Sequence, residues 1–146
     1  MGRLMGSSNS NNYGEQIFIN KASEYLDDTN IIYWNRQLFG KEFDVCILMP
    51  EKGILVVELK GWREENILRI ENNDSVIIQT NDGEVSASPQ KQARGYRFSI
   101  ERHIRQNISK FPLVYQMVCL PQVSKAFFKS HRMWSWKKSL RFSRRI

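Results

Sequence analysis

Two acidic residues and one lysine lie in adjacent segments that are otherwise rich in branched and aromatic residues. Phe43–Met49 contains Asp44, and Ile54–Lys60 contains Glu58 and Lys60. This composition predicts a β-strand for each segment. Because residues two apart on a strand share a face, Glu58 and Lys60 are expected to lie side by side on a strand that otherwise looks buried.

The turn between the two strands decides which side chains meet. If Met49 pairs with Gly53 across the turn, Asp44 stands opposite Glu58. A register one residue longer leaves Glu58 diagonal to Asp44. On its own strand, Asp44 is expected to share a face with Cys46 and Leu48, and Phe43 is expected to point to the opposite face with Val45 and Ile47.

A pair of neighbouring carboxylates is costly unless something compensates for it. Two like charges ~4 Å apart repel by about 4 kcal/mol at an effective dielectric of ~20, and a whole domain is stable by only roughly 5–15 kcal/mol. Mg²⁺ or Mn²⁺ would neutralise Asp44 and Glu58 through oxygen ligands. Lys60 beside them could orient a water or stabilise negative charge on a phosphate. The combination suits hydrolysis of a phosphodiester.

An ordinary pair of strands accounts for the same spacing without any activity. Asp44 and Glu58 would then be solvated at a sheet edge, or Glu58 would simply pair with Lys60. The spacing of these three residues leaves both interpretations open.

The remaining elements alternate helices with strands. Glu15–Asp28 has apolar residues at helical spacing, and Ser88 followed by Pro89 marks the start of a second helix. The other predicted strands are Ile31–Leu38, Ile67–Glu71, Ser75–Thr80 and Leu113–Leu120. This order predicts an α/β or α+β domain with a mixed β-sheet flanked by helices.

Composition bounds the class of protein. The chain has 146 residues, 41% of them hydrophobic, which suits one folded domain. No apolar run approaches the roughly 20 residues of a membrane span, and residues 1–12 are expected to be a flexible lead-in without the pattern of a secretory signal. Cys46 and Cys119 lie in apolar strands, so we expect free thiols and a cytoplasmic location.

The positive charge of the chain is concentrated at its C-terminal end. The net charge is +7, but residues 123–146 hold eight Lys or Arg residues and no acid. The rest of the chain therefore carries slightly more acidic than basic residues. Aromatic residues interleave with the basic ones in 123–146. That tail could bind phosphates with stacking aromatics, lie on an anionic membrane, or be a chain end that lost its natural continuation.

Four sequence elements in fixed order resemble those of the nuclease-related domain (NERD) family. They are Gly14-Glu15, Glu42-Phe43-Asp44, Gly53-Ile54-Leu55-Val56-Val57-Glu58-Leu59-Lys60-Gly61, and Ser88-Pro89-Gln90-x-Gln92-Ala93. The family is similar to the restriction-endonuclease-like superfamily, whose motif is an acid followed by Glu-x-Lys. The resemblance covers residues 13–122 and implies a restriction-endonuclease-like core.

The resemblance also implies roles for individual residues. Asp44 and Glu58 match metal ligands for Mg²⁺ or Mn²⁺, and Lys60 matches the catalytic lysine. Glu15 matches an acid that ligates the metal directly or through water. Gln90 matches a glutamine that points toward the site. The implied activity is DNA processing, in the company of a helicase or another DNA-processing partner.

Several of these residues also have simpler explanations. Glu15 would complement its helix dipole in any case, and Gln90 could hydrate backbone groups at a helix start. Lys91, Arg94 and Arg97 could contact DNA phosphates or form a solvated helix face.

Three functions are consistent with the whole sequence. The first is a metal-dependent nuclease acting on DNA. The second is a catalytically inactive nucleic-acid-binding module. The third is a truncated remnant of a larger protein that combines such a domain with a helicase.

Overall fold

The computed structural model describes residues 1–6, 12–38, 41–72, 74–107 and 112–130. Its strands are β1 (Arg3–Gly6), β2 (Ile31–Leu38), β3 (Lys41–Met49), β4 (Gly53–Leu59), β5 (Ile67–Asn72), β6 (Ser75–Thr80), β7 (Gly83–Ala87) and β8 (Val114–Cys119). Its helices are α1 (Tyr13–Tyr25), α2 (Pro89–Asn107) and α3 (Lys125–Ser130), with a short 3₁₀ turn at Glu64–Asn66.

The strands form two sheets. The larger has the order β1-β2-β3-β4-β8, with β2, β3 and β4 antiparallel and the outer pairs β1–β2 and β4–β8 parallel. The smaller sheet is an antiparallel meander of β5, β6 and β7. Parallel strands need a long crossover, and the chain between β4 and β8 supplies it with the small sheet and α2. The predicted α+β architecture with a mixed sheet is confirmed, and it is consistent with a restriction-endonuclease-like core.

Each face of the large sheet is covered by one helix. Ile19 on α1 packs against one face, in a cluster with Ile32, Trp34, Val45, Ile47, Leu55, Val57 and Leu59. Ile100 and Ile104 on α2 pack against the other face, in a cluster with Phe43, Cys46, Val56 and Val114. β4 contributes to both clusters, which explains why its sequence is almost continuously apolar.

The beginning of α1 is tied to the end of β4. Asn12 caps the helix, because its Oδ1 accepts hydrogen bonds from the backbone N–H groups of Gly14 at 3.0 Å and Glu15 at 3.4 Å. Gly14 and Gly61 pack closely: a Cβ built on Gly14 would lie 3.2 Å from Gly61 Cα. The contact brings Glu15 toward the strand that carries Glu58.

Three elements of the structure were not predicted from the sequence. Arg3–Gly6, inside the expected flexible lead-in, forms a strand at the sheet edge. β7 was missed because its side chains are mostly exposed and lack an apolar alternation. In the expected C-terminal tail, α3 brings Phe127 and Phe128 against the small sheet. Residues 131–146 lie outside the described residues.

The two cysteines are free, as predicted. Burial raises the pKa of Cys46 to about 12 and that of Cys119 to about 11. Among the described residues, no helix combines the length and apolarity needed to cross a membrane.

Candidate active site

The register of β3 and β4 brings the two acidic residues together. Met49 pairs with Gly53, and the ladder continues to Val45 and Val57. The observed register is therefore the first of the two that the sequence allows, with Asp44 opposite Glu58. The next step along it places Asp44 beside Glu58.

The carboxylate of Asp44 is bound to the end of β4. The backbone N–H of Leu59 donates to Asp44 Oδ2 at 2.7 Å. The N–H groups of Ile54 and Lys60 donate to β8, so the N–H of Leu59 points the other way, toward β3. The N–H of Leu59 thus donates to the Asp44 side chain instead of to a backbone carbonyl of β3.

This hydrogen bond changes the side-chain alternation of β3. Phe43 was expected to point away from the face that Cys46 occupies, but both side chains pack in the cluster beneath α2. That expectation was wrong, because the regular β3–β4 ladder ends at Val45. Beyond that residue Asp44 is held by its side chain, so strict alternation no longer applies.

Lys60 and Glu58 form a close ion pair at the end of β4. Lys60 Nζ lies 2.6 Å from Glu58 Oε1. Glu58 is only 2% exposed, whereas Lys60 is partly exposed and reaches the surface. Among the described residues, Glu58 Oε2 is buried and has no hydrogen-bond partner. One oxygen of this carboxylate is therefore neutralised and the other is not.

Burial raises the pKa of both acids, so each ionises less readily. Burial raises the pKa of Glu58, the neighbouring Asp44 raises it further, and Lys60 opposes the rise. Burial also raises the pKa of Asp44, against the hydrogen bond from Leu59 and the charge of Lys60. The pKa of Tyr96 is raised by burial and then by the charges of Glu58 and Asp44, so Tyr96 on α2 faces the same patch of charge.

Glu15 lies near this pair but is held by other partners. Trp34 Nε1 donates to Glu15 Oε2 at 3.2 Å, and Asn12 Nδ2 donates to Glu15 Oε1 at 3.2 Å. The charge of Glu15 is close enough to raise the pKa of Asp44. In the described part of the chain, no three His, Cys, Asp or Glu side chains are grouped closely enough to hold a metal ion. The structure thus brings Asp44 and Glu58 together. It places Glu15 near them, but hydrogen-bonded to Trp34 and Asn12.

Gln90 is buried in the first turn of α2. Its side chain is 4% exposed, and its Nε2 has no hydrogen-bond partner within the described ranges. A buried amide donor without a partner is unusual in a folded protein. Its predicted part in the site stays a prediction.

One of three comparisons with known proteins finds a match. A family model described as "Nuclease-related domain" matches residues 10–121. The chain belongs to the nuclease-related domain family. The match spans α1, the large sheet from β2 onward, the small sheet and α2, and therefore every residue of the site. No curated protein matches the chain significantly, and neither does any solved structure.

An open cleft adjoins the site of this nuclease-related domain. Its volume is about 1060 Å³, and Lys60, Lys91 and Arg94 lie on its walls. Arg97, the third basic residue predicted to bind nucleic acid, has its Nε 3.5 Å from Glu101 Oε1. The structure therefore joins Lys60 to two of the three predicted basic residues and pairs the third with an acid of its own helix.

The cleft also has aromatic side chains that were not predicted from the sequence as part of the site. Trp62, Tyr96 and Phe98 line the cleft beside the basic residues. Trp62 follows Lys60 by two residues, and Phe98 lies four residues after Arg94 on α2. Both spacings were available signals, because residues two apart on an extended chain and four apart on a helix share a face.

The donor set of the site suits a small hard cation. Magnesium is usually bound through one or two carboxylates, with water and substrate phosphate completing its shell. Asp44 and Glu58 supply two such carboxylates, and the partnerless Oε2 of Glu58 provides an acceptor that no described side chain uses. The residues present therefore fit Mg²⁺ or Mn²⁺.

Proposed function

We propose that this nuclease-related domain is a metal-dependent nuclease that hydrolyses DNA phosphodiesters. Asp44 and Glu58 hold Mg²⁺ or Mn²⁺, and Lys60 is the catalytic lysine. The observation that carries the proposal is the buried Glu58 carboxylate, with one oxygen on Lys60 and the other without a partner among the described residues.

The energetics of the pair support this assignment. Two neighbouring acids, each with a pKa raised by burial, weaken the fold at neutral pH. They stand on β3 and β4, which both contribute buried residues to the clusters on the two faces of the large sheet. An unfavourable arrangement of charges of this kind is typical of functional sites, where a bound ligand compensates for its cost in stability.

The chain's own residues have distinct tasks in hydrolysis. Asp44 is oriented by the Leu59 N–H, and Glu58 by Lys60. A bound divalent cation supplies polarisation of the phosphate and a lowered pKa of water. The water oxygen bonds to phosphorus while the bond to the leaving sugar oxygen breaks; one proton leaves the water, and the leaving oxygen gains one from solvent. Lys60 stabilises the negative charge that develops on the phosphate.

Glu15 and Gln90 support the site from its sides. Glu15 is held by Trp34 and Asn12, so it would act on a bound cation through water rather than as a direct ligand. Gln90 has an amide donor without a described partner, which can orient a water beneath α2. Lys91 and Arg94, on the walls of the cleft that contains Lys60, contact the phosphates of the DNA. A helicase or another DNA-processing protein would be a suitable partner for such an activity.

Nicking of supercoiled plasmid in Mg²⁺ tests the proposal. Lys60→Ala should lower the rate by about 100-fold or more, because a group that stabilises the transition state is lost. Lys52→Ala is the matched control, since this exposed lysine lies in the turn at the other end of β4. A Lys60→Ala protein that nicks plasmid as fast as the control removes the proposed mechanism.

A binding module without turnover is the second candidate. It is favoured by the absence, within the described residues, of a third acidic ligand next to Asp44 and Glu58. A module of this kind would bind DNA with a strong salt dependence but would not nick plasmid at any Mg²⁺ or Mn²⁺ concentration. Binding together with metal-dependent nicking decides against it.

A further inference from the structure

The outer side of α2 carries a stripe of basic residues with one aromatic residue at its centre. The members follow one another at intervals of three or four positions, which places them on one face of the helix. They are Lys91, Arg94, Phe98, Arg102 and Arg105. At a rise of 1.5 Å per residue, the stripe is about 21 Å long.

Two surface clefts lie along this stripe. The cleft that contains Lys60 reaches Lys91, Arg94 and Phe98. A second cleft, of about 400 Å³, begins at Phe98 and is lined by Glu101, Arg102, Arg105 and Gln106. Because Phe98 borders both, the two clefts are neighbours along α2. The line from Lys60 through the first cleft to the second is called the path below.

The acids beside the path leave its charge positive. Arg94 pairs with Asp74 at 2.7 Å, and Arg97 pairs with Glu101 at 3.5 Å. Both pairs are only partly exposed, and the Nε of Arg97 is buried. The more exposed pair of Arg94 with Asp74 contributes little to stability, so a phosphate can take the place of Asp74 there. The basic residues of the stripe outnumber the acids that face it.

Phe98 gives the path a surface on which a base can stack. Its side chain is 46% exposed, although phenylalanine is usually buried. The guanidinium of Arg97 lies over one face of its ring, 4.8 Å from the centre, so it adds positive charge on that face and a base would stack on the other. Trp62, partly buried, lines the same cleft nearer to Lys60. A basic groove with aromatic rings is the usual design of a single-strand binding site.

We propose that single-stranded DNA follows this path, with its phosphates on the basic stripe and a base stacked on Phe98. The inference rests on the proposed nuclease function and specifies its substrate class. Bases in a duplex are stacked on one another and cannot reach the ring, whereas those of a single strand can. The strand leads directly to Lys60, so the bond cut lies at the end of the path near β4.

Binding in the absence of divalent metal tests the path separately from cleavage. The probe is a fluorescent oligothymidine of about 12 nucleotides, a length within the usual site sizes, and a duplex of equal length is the competitor. Fluorescence anisotropy in EDTA should show the single strand binding at least about tenfold more tightly than the duplex. Equal or tighter binding of the duplex overturns the proposal.

Variants of the stripe locate the path. Phe98→Ala should weaken single-strand binding by about fivefold or more, and Phe98→Tyr should restore it. Tyr25→Ala is the matched control, because Tyr25 is a 77% exposed aromatic on α1, the helix on the opposite face of the sheet. The double variant Arg102→Gln/Arg105→Gln should lower the slope of log Kd against log salt concentration by roughly 1.4. Unchanged binding in both variants excludes the path.

The two proposals fail in different ways. Single-strand binding that depends on Phe98, without nicking in Mg²⁺, contradicts the nuclease and leaves the binding path in place. Nicking that depends on Lys60, with binding that ignores Phe98 and Arg102, contradicts the path and leaves the nuclease in place.

Discussion

Lys60 Nζ lies 2.6 Å from Glu58 Oε1, so a partly exposed ammonium holds one oxygen of a buried carboxylate. The contact joins residues two apart, Glu58 in β4 and Lys60 directly after the strand, and does not depend on any other element. It compensates the charge at only one oxygen of the carboxylate, because the other oxygen has no partner among the described residues. Glu58 is therefore the residue at which stability and activity conflict most directly.

Replacing Glu58 with glutamine should stabilise the protein at neutral pH. The folded-state pKa of Glu58 is raised, so the stability associated with its protonated form is complete below about pH 4, its ordinary range. That stability is lost as the pH rises through the folded-state pKa. Glu58→Gln removes the loss, and the gain should be on the order of 1 kcal/mol.

Urea denaturation in EDTA, at about pH 4 and about pH 8, measures this effect. The variant and the wild type should have similar midpoints at the acidic pH and differ at the alkaline one. Glu84→Gln is the control, because Glu84 is exposed on β7. A Glu58→Gln protein less stable than the wild type at both pH values would mean that the ion pair with Lys60 outweighs the cost of burial.

Metal binding should compete with protons at the same two acids. Because the pKa values of Asp44 and Glu58 are raised, a cation must displace protons from them. The affinity for Mg²⁺ or Mn²⁺ should therefore fall as the pH is lowered from about 8 to about 5, and binding should release protons. Titration calorimetry in two buffers of different ionisation enthalpy measures both quantities.

Asp44→Ala locates this binding. It should remove specific Mn²⁺ binding, while Asp28→Ala, an exposed acid after α1, should keep it. Retention of wild-type Mn²⁺ affinity by Asp44→Ala would show that the cation binds elsewhere.

The arrangement of Asp44 and Glu58 could be predicted because a short turn sets the register of a hairpin. Once Met49 pairs with Gly53, every later pair follows. The side on which Phe43 packs could not be predicted in this way. It depends on the Asp44 carboxylate taking the Leu59 N–H, and no periodicity in the sequence encodes that exchange.

Contacts between elements that are far apart in the chain could not be predicted from the sequence either. The sequence placed Glu15 at the start of a helix, but its partner Trp34 lies nineteen residues away on β2. Their contact depends on how α1 packs on the sheet. The path along α2 was missed for a related reason: helical spacing groups Phe98 with Arg94 and Arg102, but only the fold shows that Phe98 borders two clefts.

The junction of Asn12 and Gly61 should control the position of Glu15. A Cβ built on Gly61 would lie 2.8 Å from Asn12 Oδ1, which is closer than a real contact allows. Asn12 caps α1 through that oxygen and also donates to Glu15. Gly61→Ala should therefore displace the cap and cost on the order of 1 kcal/mol, about what loss of the cap itself costs.

A double-mutant cycle distinguishes this coupling from general strain. Asn12→Ala and Gly61→Ala should each lower the urea midpoint, and the double variant should lose clearly less than the sum, because the second change meets a cap that is already gone. The metal affinity of Gly61→Ala should fall as well, since Glu15 loses the Asn12 contact that helps to hold it near Asp44. Additive losses of stability, with unchanged Mn²⁺ affinity, would show that Gly61 acts only through its own backbone and that the start of α1 does not position the site.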